Sequence, residues 1–291
     1  MIQMTRRGLK IFFKDKGGVF FSLLGVIIIF ALFIFFIGDA VTEGLDYLDN
    51  KDYVMNSWVV AGMLASSAIT TSMGAYAVMV SDRENKCIKD FYSSPLKRRS
   101  VAAGYMCTGL IISIIMSLVT LVFGEIYILA TGGELVSFEA FAKIFGVILL
   151  SSFAASAMVC FVISFVKTGN TYTTISIILG TLIGFLIGAY ITIGGLPAGV
   201  QWVVKCFPCA HAAVLFRQLL MGEAMDAGFV LSDDIPFPEI FRSEFEKEVG
   251  VVFEYGDWMP EAWFHVLVLV ATGVVFYLLA IISMSRKNKK Y

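Results

Sequence analysis

The sequence predicts an all-α integral membrane protein with six transmembrane helices. Of its 291 residues, 58% are hydrophobic and only 15% are charged, whereas soluble domains carry roughly 25% charged residues. The charges lie between long apolar segments instead of being spread along the chain. A net charge of -1 argues against nucleic-acid binding through a positive field, and two His and five scattered Cys offer no metal or disulfide framework.

The six spans follow from the length of the apolar segments. A membrane-spanning helix needs about 20 predominantly apolar residues, because its backbone polar groups must be satisfied within the helix. The first segment follows several cations, as a signal peptide would, but its apolar core is too long and no A-x-A-like site follows, so we interpret it as a retained helix. The predicted spans are residues 19–37, 54–80, 101–130, 144–166, 175–196 and 263–284.

The distribution of cations predicts the orientation. Lys and Arg near the ends of spans are retained on the cytoplasmic side. The N-terminus, the loop 81–100, the short loop at Lys167 and the C-terminal tail hold 16 of the 22 cations. The other three loops hold six cations and 18 of the 23 acidic residues. We therefore predict a multi-pass protein of the cell membrane with both termini in the cytoplasm.

The polar loop between spans two and three reads SDRENKCIKDFYSSPLKRRS over residues 81–100. Its six cations alone justify only a loop that fixes topology. Charged residues surround Ile88, Phe91 and Tyr92, however, in a pattern that suits a short helix at the membrane surface. Pro95 would end that helix, because the residue before proline avoids the α region. Such a helix can press on a soluble partner and transmit movement to both spans.

These residues resemble the permease subunits of type 2 ATP-binding-cassette exporters. In that family the loop carries an arginine–glutamate pair, a hydrophobic helix, a small-residue–Pro–Leu turn, a basic residue and a glycine. The matching positions are Arg83, Glu84, Ile88, Phe91, Ser94, Pro95, Leu96, Arg98 and Gly104. One departure is Lys86, where the family often has glycine. The resemblance implies that the loop docks into a nucleotide-binding subunit through Arg83, Glu84, Ile88, Phe91, Tyr92 and Pro95.

Two other regions extend the resemblance over nearly the whole chain. After span five the family commonly has Leu–Pro, a second proline, an arginine and a glycine, which Leu196, Pro197, Pro208, Arg217 and Gly222 match in order. In relatives this region forms re-entrant helices. At the N-terminus, apolar and basic residues separate onto two faces, as in an interfacial helix, although a topology signal with incidental periodicity is the alternative. The apolar face holds Leu9, Phe12 and Phe13, and the basic face holds Arg6, Arg7, Lys10 and Lys14.

The predicted organisation has six parts. They are an interfacial helix (1–18), spans one to five with the coupling loop (19–196), re-entrant helices (197–222), an extracellular cap (223–262), span six (263–284) and a cytoplasmic tail (285–291). From Gly222 to Glu261 the outer region has 11 acidic and two basic residues. A solvated surface is one interpretation of this charge, and an exit that favours cationic or amphipathic cargo is the other.

Two patterns within the spans are candidates for packing or transport. Gly180, Gly184 and Gly188 repeat at four-residue spacing on span five, which lets helices approach closely within the chain or against a second permease. Four hydroxyls on span two can face a pathway or bond back to their own helix. They are Ser66, Ser67, Thr70 and Thr71.

Two polar sites admit several interpretations. Cys206 and Cys209, with His211, are most simply structural, but a disulfide or a metal site has the same residue spacing. Glu125 lies near the outer end of span three, so interfacial snorkelling competes with a role in proton coupling or substrate release.

The sequence predicts a transport subunit without catalytic activity of its own. No phosphate-binding G-x-x-x-x-G-K-[ST] motif occurs. The resemblance implies a second permease copy or paralogue and two separate ATPase subunits that bind ATP and Mg²⁺. The cargo would be a hydrophobic or amphipathic drug, antibiotic, peptide or lipid. An ion-gradient-driven transporter and a membrane sensor are the alternatives, but neither a charged midplane site nor paired halves with interrupted helices are visible.

Overall fold

The computed structural model describes residues 1–38, 42–43, 45, 48, 50–93, 98–231, 235–236 and 239–286. Nearly all of them lie in helices, and a two-stranded antiparallel ribbon lies near the end of the chain. In order, the elements are α1 (Ile2–Lys14), α2 (Lys16–Leu32) with a π-helical turn (Phe33–Ile37), α3 (Lys51–Glu84), α4 (Cys87–Ser93), α5 (Arg98–Ala130), α6 (Phe138–Ser164), α7 (Gly169–Leu186), α8 (Ala198–Cys206), α9 (Pro208–Leu220), α10 (Gly222–Gly228), β1 (Val230–Leu231), β2 (Ile235–Pro236), α11 (Glu239–Val249) and α12 (Ala262–Arg286).

Six of these helices are long and apolar enough to cross a membrane. They are α2 with its π-helical turn, α3, α5, α6, α7 and α12. Each corresponds in order to one predicted span. The all-α fold class with six candidate membrane-spanning helices is therefore confirmed, and the chain is a multi-pass membrane protein.

Helix α3 lies at the centre of the bundle. It is buried along most of its length, and α2, α5, α6, α7 and α9 all pack on it. Small residues allow close approach, as at Gly124 of α5, where an added Cβ would overlap the side chain of Val60 on α3. In lipid the hydrophobic effect does not drive helices together, so the van der Waals packing that close backbone approach allows is a main source of helix association.

The predicted fifth span was wrong at both ends. Helix α7 covers Gly169–Leu186, so it starts earlier than predicted and ends ten residues sooner. Gly188 has a positive φ of 64° and donates to the carbonyl of Phe185, while Ala189 donates to that of Gly184. This is a Schellman motif, in which glycine adopts the left-handed conformation that closes a helix. The apolar residues after it form turns.

Helices α8 and α9 meet at an angle of 90°. Phe207 between them is extended, and Pro208 opens α9, as expected because proline excludes the helical conformation from the residue before it. The cap that follows packs back onto the bundle: the indole nitrogen of Trp58 donates to the carbonyl of Val249 at 2.8 Å, and Phe253 is buried. A re-entrant course for this pair through the bilayer stays a prediction.

Candidate functional site

The last turn of α3 holds Arg83 and Glu84, the arginine–glutamate pair of the predicted coupling motif. Arg83 is half-buried, and its Nη1 donates to the backbone carbonyls of Ile163 at 2.8 Å and Val166 at 2.9 Å. The Ile163 carbonyl lies in the last turn of α6 and the Val166 carbonyl two residues beyond its end, where the negative end of the helix dipole favours a cation. Arg83 therefore caps α6.

Glu84 caps the N-terminus of the next helix, α7. Its Oε2 accepts a hydrogen bond from the backbone N–H of Gly169 at 3.2 Å, and Gly169 is the first residue of α7. A carboxylate at a helix N-terminus satisfies an orphan donor and matches the positive end of the dipole. The consecutive residues Arg83 and Glu84 thus hold both sides of the turn 165–168. We refer to these two contacts as the α3 clamp.

The predicted surface helix is α4, and it is separated from α3 by a kink at Lys86. Lys86 has a φ of 61°, in the left-handed region that glycine adopts without strain. Glycine, which the resembled family often has here, would adopt this conformation without the strain that lysine carries. Ile88 and Phe91 are half-buried on α4. The side chain of Tyr92, and Pro95, lie outside the described residues.

A charged contact ties α1 to the same region. Arg7 binds Asp82 through both of its terminal nitrogens at 2.7 and 2.8 Å, and the Tyr105 hydroxyl donates to the same carboxylate at 2.6 Å. The hydrogen bond to Asp82 raises the pKa of Arg7. The Arg7 guanidinium also lies 5.2 Å from the centre of the Phe91 ring. The sequence predicted Arg7 on the basic face of α1, and the structure shows this side chain half-buried and paired with the buried Asp82 carboxylate.

A groove of about 660 Å³ lies between α2 and α7, with α3 as its floor. It occupies the half of the bundle that also contains α4 and the end of α1. Its lining is mainly apolar, with the hydroxyls of Thr70, Tyr172, Thr173, Ser176 and Thr181 among the polar groups. Asp15 is the one charged residue among those described that line it.

The hydroxyl stripe of span two is divided by the fold. Thr70 lines the groove. The other three, Ser66, Ser67 and Thr71, are fully buried in the bundle, which favours the alternative that they bond back to their own helix. Ser66 bonds back to the carbonyl of Met63, Thr71 bonds back to that of Ser67, and Ser67 also meets Ser117 of α5 at 3.0 Å.

The three glycines of span five have three different environments. Gly180 lines the groove, and a Cβ there would meet nothing within 4 Å. Gly184 packs against the ring of Tyr190. Gly188 lies beyond the end of α7, so the prediction of a continuous three-glycine helix face was wrong for this residue.

The remaining candidates lie at the opposite end of the bundle. Cys206 and Cys209 are free thiols, the first exposed and the second buried. Among the described residues no group of three or more His, Cys, Asp and Glu side chains could hold a metal ion. His211 instead pairs with His265, with 2.7 Å between their Nδ1 atoms. Sequence reasoning missed this pair, since the two residues are 54 positions apart and no local pattern connects them.

Glu125 and Arg217 also bind backbone groups at this end. Glu125 accepts from the N–H of Val136, just beyond the end of α5, at 3.3 Å. Arg217 is fully buried, and its terminal nitrogens donate to the carbonyls of Ile187, Gly188 and Gly250. The sequence identified Arg217 only as a motif position, without a role. Its geometry ties the end of α7 to α9 and to the cap.

Comparison with known proteins agrees with the motif analysis. The family model described as ABC-2 family transporter protein matches residues 47–282, well over half of the chain. That interval includes the α3 clamp, α4, helices α8 and α9, and the cap. Curated protein sequences contain no significant match. The chain is therefore a member of the ABC-2 family of transporter proteins, as a membrane-spanning permease subunit of an ATP-binding-cassette exporter.

Proposed function

We propose that this chain pairs with a second permease and with two separate ATPase subunits, and that it exports a hydrophobic or amphipathic molecule. ATP and Mg²⁺ are bound by the partner subunits. The α4 helix and both termini lie on the cytoplasmic side, where the ATPases dock. Family membership supports the ATP-binding partner, and the excess of cations in loop 81–100 supports the orientation.

The α3 clamp is the observation that carries the mechanism. Helix α4 follows α3 after the short kink at Lys86, so a push on α4 acts on the end of α3. Arg83 and Glu84 transmit that displacement to the α6–α7 turn through their hydrogen bonds. Helix α7 forms one wall of the groove. Closure of the ATPases would therefore change the width of the groove through a short series of direct contacts.

Contact between α1 and α4 adds a second route. Arg7 joins the Asp82 carboxylate to the Phe91 ring, so α1 moves with both α3 and α4. Since α1 leads directly into α2 at Asp15, movement of α1 reaches the opposite wall of the groove. Both walls are thus connected to the surface on which the ATPase would press.

The experiment begins with the tagged chain purified gently from native membranes. A co-purifying subunit with a phosphate-binding P-loop, and vanadate-sensitive ATP hydrolysis by that complex, are the expected results. An intact permease that retains no such subunit and shows no ATP hydrolysis would refute the proposal.

Two variants separate docking from transmission. Phe91→Ala changes α4 itself and should reduce co-purification of the ATPase. Glu84→Gln keeps an acceptor but removes the charge at the start of α7, so it should leave co-purification unchanged and lower transport per ATP hydrolysed. Glu139→Gln is the matched control, because Glu139 forms an exposed ion pair with Lys143 on a single helix, at 2.7 Å. Equal transport by the Glu84 variant and this control would contradict the role of the clamp.

A further inference from the structure

The groove between α2 and α7 has a polarity that restricts what can occupy it. Its volume of about 660 Å³ is in the range of sites for drug-sized ligands, and its walls are apolar side chains and hydroxyls. Thr173 and Thr181 bond back to carbonyls of their own helix, and so does Ser176. Hydroxyls used in this way leave a surface that is compatible with apolar ligands.

Asp15 gives the groove a charge at one end. It lies between α1 and α2, and its Oδ1 caps α2 by accepting from the N–H of Gly18 at 2.9 Å. Capping uses one oxygen, and no hydrogen-bond partner for Oδ2 occurs among the described residues. Asp15 and the neighbouring Lys14 and Lys16 are all exposed, but of the three only Asp15 lines the groove. The groove therefore presents an apolar wall and a carboxylate to an occupant.

The wall opposite has room for a ligand. Gly180 lies within α7, where glycine weakens a helix by about 1 kcal/mol relative to alanine. Close packing does not explain the residue, since a Cβ at this position would meet no atom within 4 Å. An added side chain would instead project into the space that the groove encloses.

We propose that this groove binds amphipathic organic cations, with the apolar part against α3 and α7 and the positive group facing the Asp15 carboxylate. The proposal rests on the function above, because it names the class of cargo that the exporter would carry. Charge complementarity decides the occupant: no Lys or Arg of the described residues lines the groove. The outer region Gly222–Glu261, with 11 acidic and two basic residues, favours the same sign of charge at the opposite end.

The test measures binding to the full-length permease in phosphatidylcholine nanodiscs, with empty nanodiscs as the blank. Tetraphenylphosphonium and tetraphenylborate are probes of the same shape and opposite charge. We expect tighter binding of the cation. Asp15→Asn keeps an N-cap of equal quality but removes the charge, so it should weaken cation binding by about fivefold or more, as loss of a charge pair worth about 1 kcal/mol predicts. Binding of the anion should not weaken.

Steric variants check the location. Gly180→Leu should abolish binding of the cation by filling the groove. Gly146→Leu is the matched control, because a Cβ at Gly146 on α6 also meets nothing within 4 Å, yet Gly146 does not line the groove. Undiminished cation binding by the Gly180 variant would overturn the proposal.

Other occupants give different results. Equal affinity for the two ions would mean that the groove accepts apolar groups, such as lipid chains, without regard to charge, and would overturn the proposal. If the cation binds in nanodiscs that hold one permease but not in nanodiscs that hold two, a second copy is the occupant of the groove. That result would also overturn the proposal. The assay contains no ATPase, so its failure leaves the exporter proposal standing, and the lack of an ATPase partner would leave the binding result standing.

Discussion

Replacing Arg217 by lysine should destabilise the protein more than replacing it by methionine. Arg217 is fully buried, and its described acceptors are the carbonyls of Ile187, Gly188 and Gly250, at 3.2, 2.6 and 3.3 Å. The guanidinium also lies 5.3 Å from the centre of the Trp58 ring. Arginine's planar fork can reach several carbonyls at once, whereas an ammonium group cannot reproduce that geometry.

The magnitudes follow from what each variant leaves behind. Arg217→Met leaves three carbonyls without this donor. A buried group that stays unsatisfied lowers the free energy of unfolding by about 1–3 kcal/mol. Removal of the buried charge offsets part of that loss, because burying an ion costs several kcal/mol. We expect a net loss of about 1–3 kcal/mol. Arg217→Lys keeps the buried charge with fewer partners, and an uncompensated buried charge costs about 3–5 kcal/mol.

The assay is thermal unfolding of the purified chain in nanodiscs, followed by tryptophan emission. Trp58 is fully buried, while Trp202, Trp258 and Trp263 are each about half exposed, so the spectral shift reports mainly on Trp58 and its contact with Arg217. A difference of about 2 kcal/mol between the variants corresponds to roughly 4–8 °C in the midpoint. A lysine variant as stable as the original chain, or more stable than the methionine variant, would refute the reasoning.

Three other predictions follow from single contacts. Lys86→Gly should raise the free energy of unfolding by about 0.5–1 kcal/mol, because φ at this position is 61°; a lower unfolding midpoint would contradict it. Gly124→Val should lower the free energy of unfolding by about 1–3 kcal/mol, because the new side chain overlaps Val60. Gly146→Val should have little effect. Similar losses of stability in the two variants would show that glycine matters only for helix conformation. Asp82→Asn should loosen α1, measured as faster proteolysis at the N-terminus, and an unchanged rate would mean that apolar packing alone holds α1.

The spans were predictable because apolar length is a local property. A segment of about 20 apolar residues must be helical in a bilayer, whatever its neighbours are. Local composition did not reveal where α7 ends, since the ten residues after Leu186 are also largely apolar. The stop depends on the left-handed conformation of Gly188, and the sequence pattern made that glycine look like one more member of a packing face.

The positions of the candidate coupling residues were predictable, but their contacts were not. Arg83 and Glu84 were identified from a motif as residues for an external partner, and the structure pairs them with the α6–α7 turn some 80 residues away. No periodicity within one helix shows which distant backbone group a side chain meets. The same limit applies to Asp82, which is a loop charge in the sequence and the partner of Arg7 and Tyr105 in the fold.

The sequence by itself determined that this membrane protein has six candidate spanning helices and that its cations are concentrated in alternate loops, because span length and loop charge are properties of each segment taken separately. Tertiary structure alone decided which hydroxyls line the groove, which glycine leaves room in it, and that Asp15 is the charged residue at its end. Those features are set by how α2, α3 and α7 are rotated against one another. That rotation is fixed by packing between distant segments, which a one-dimensional pattern does not contain.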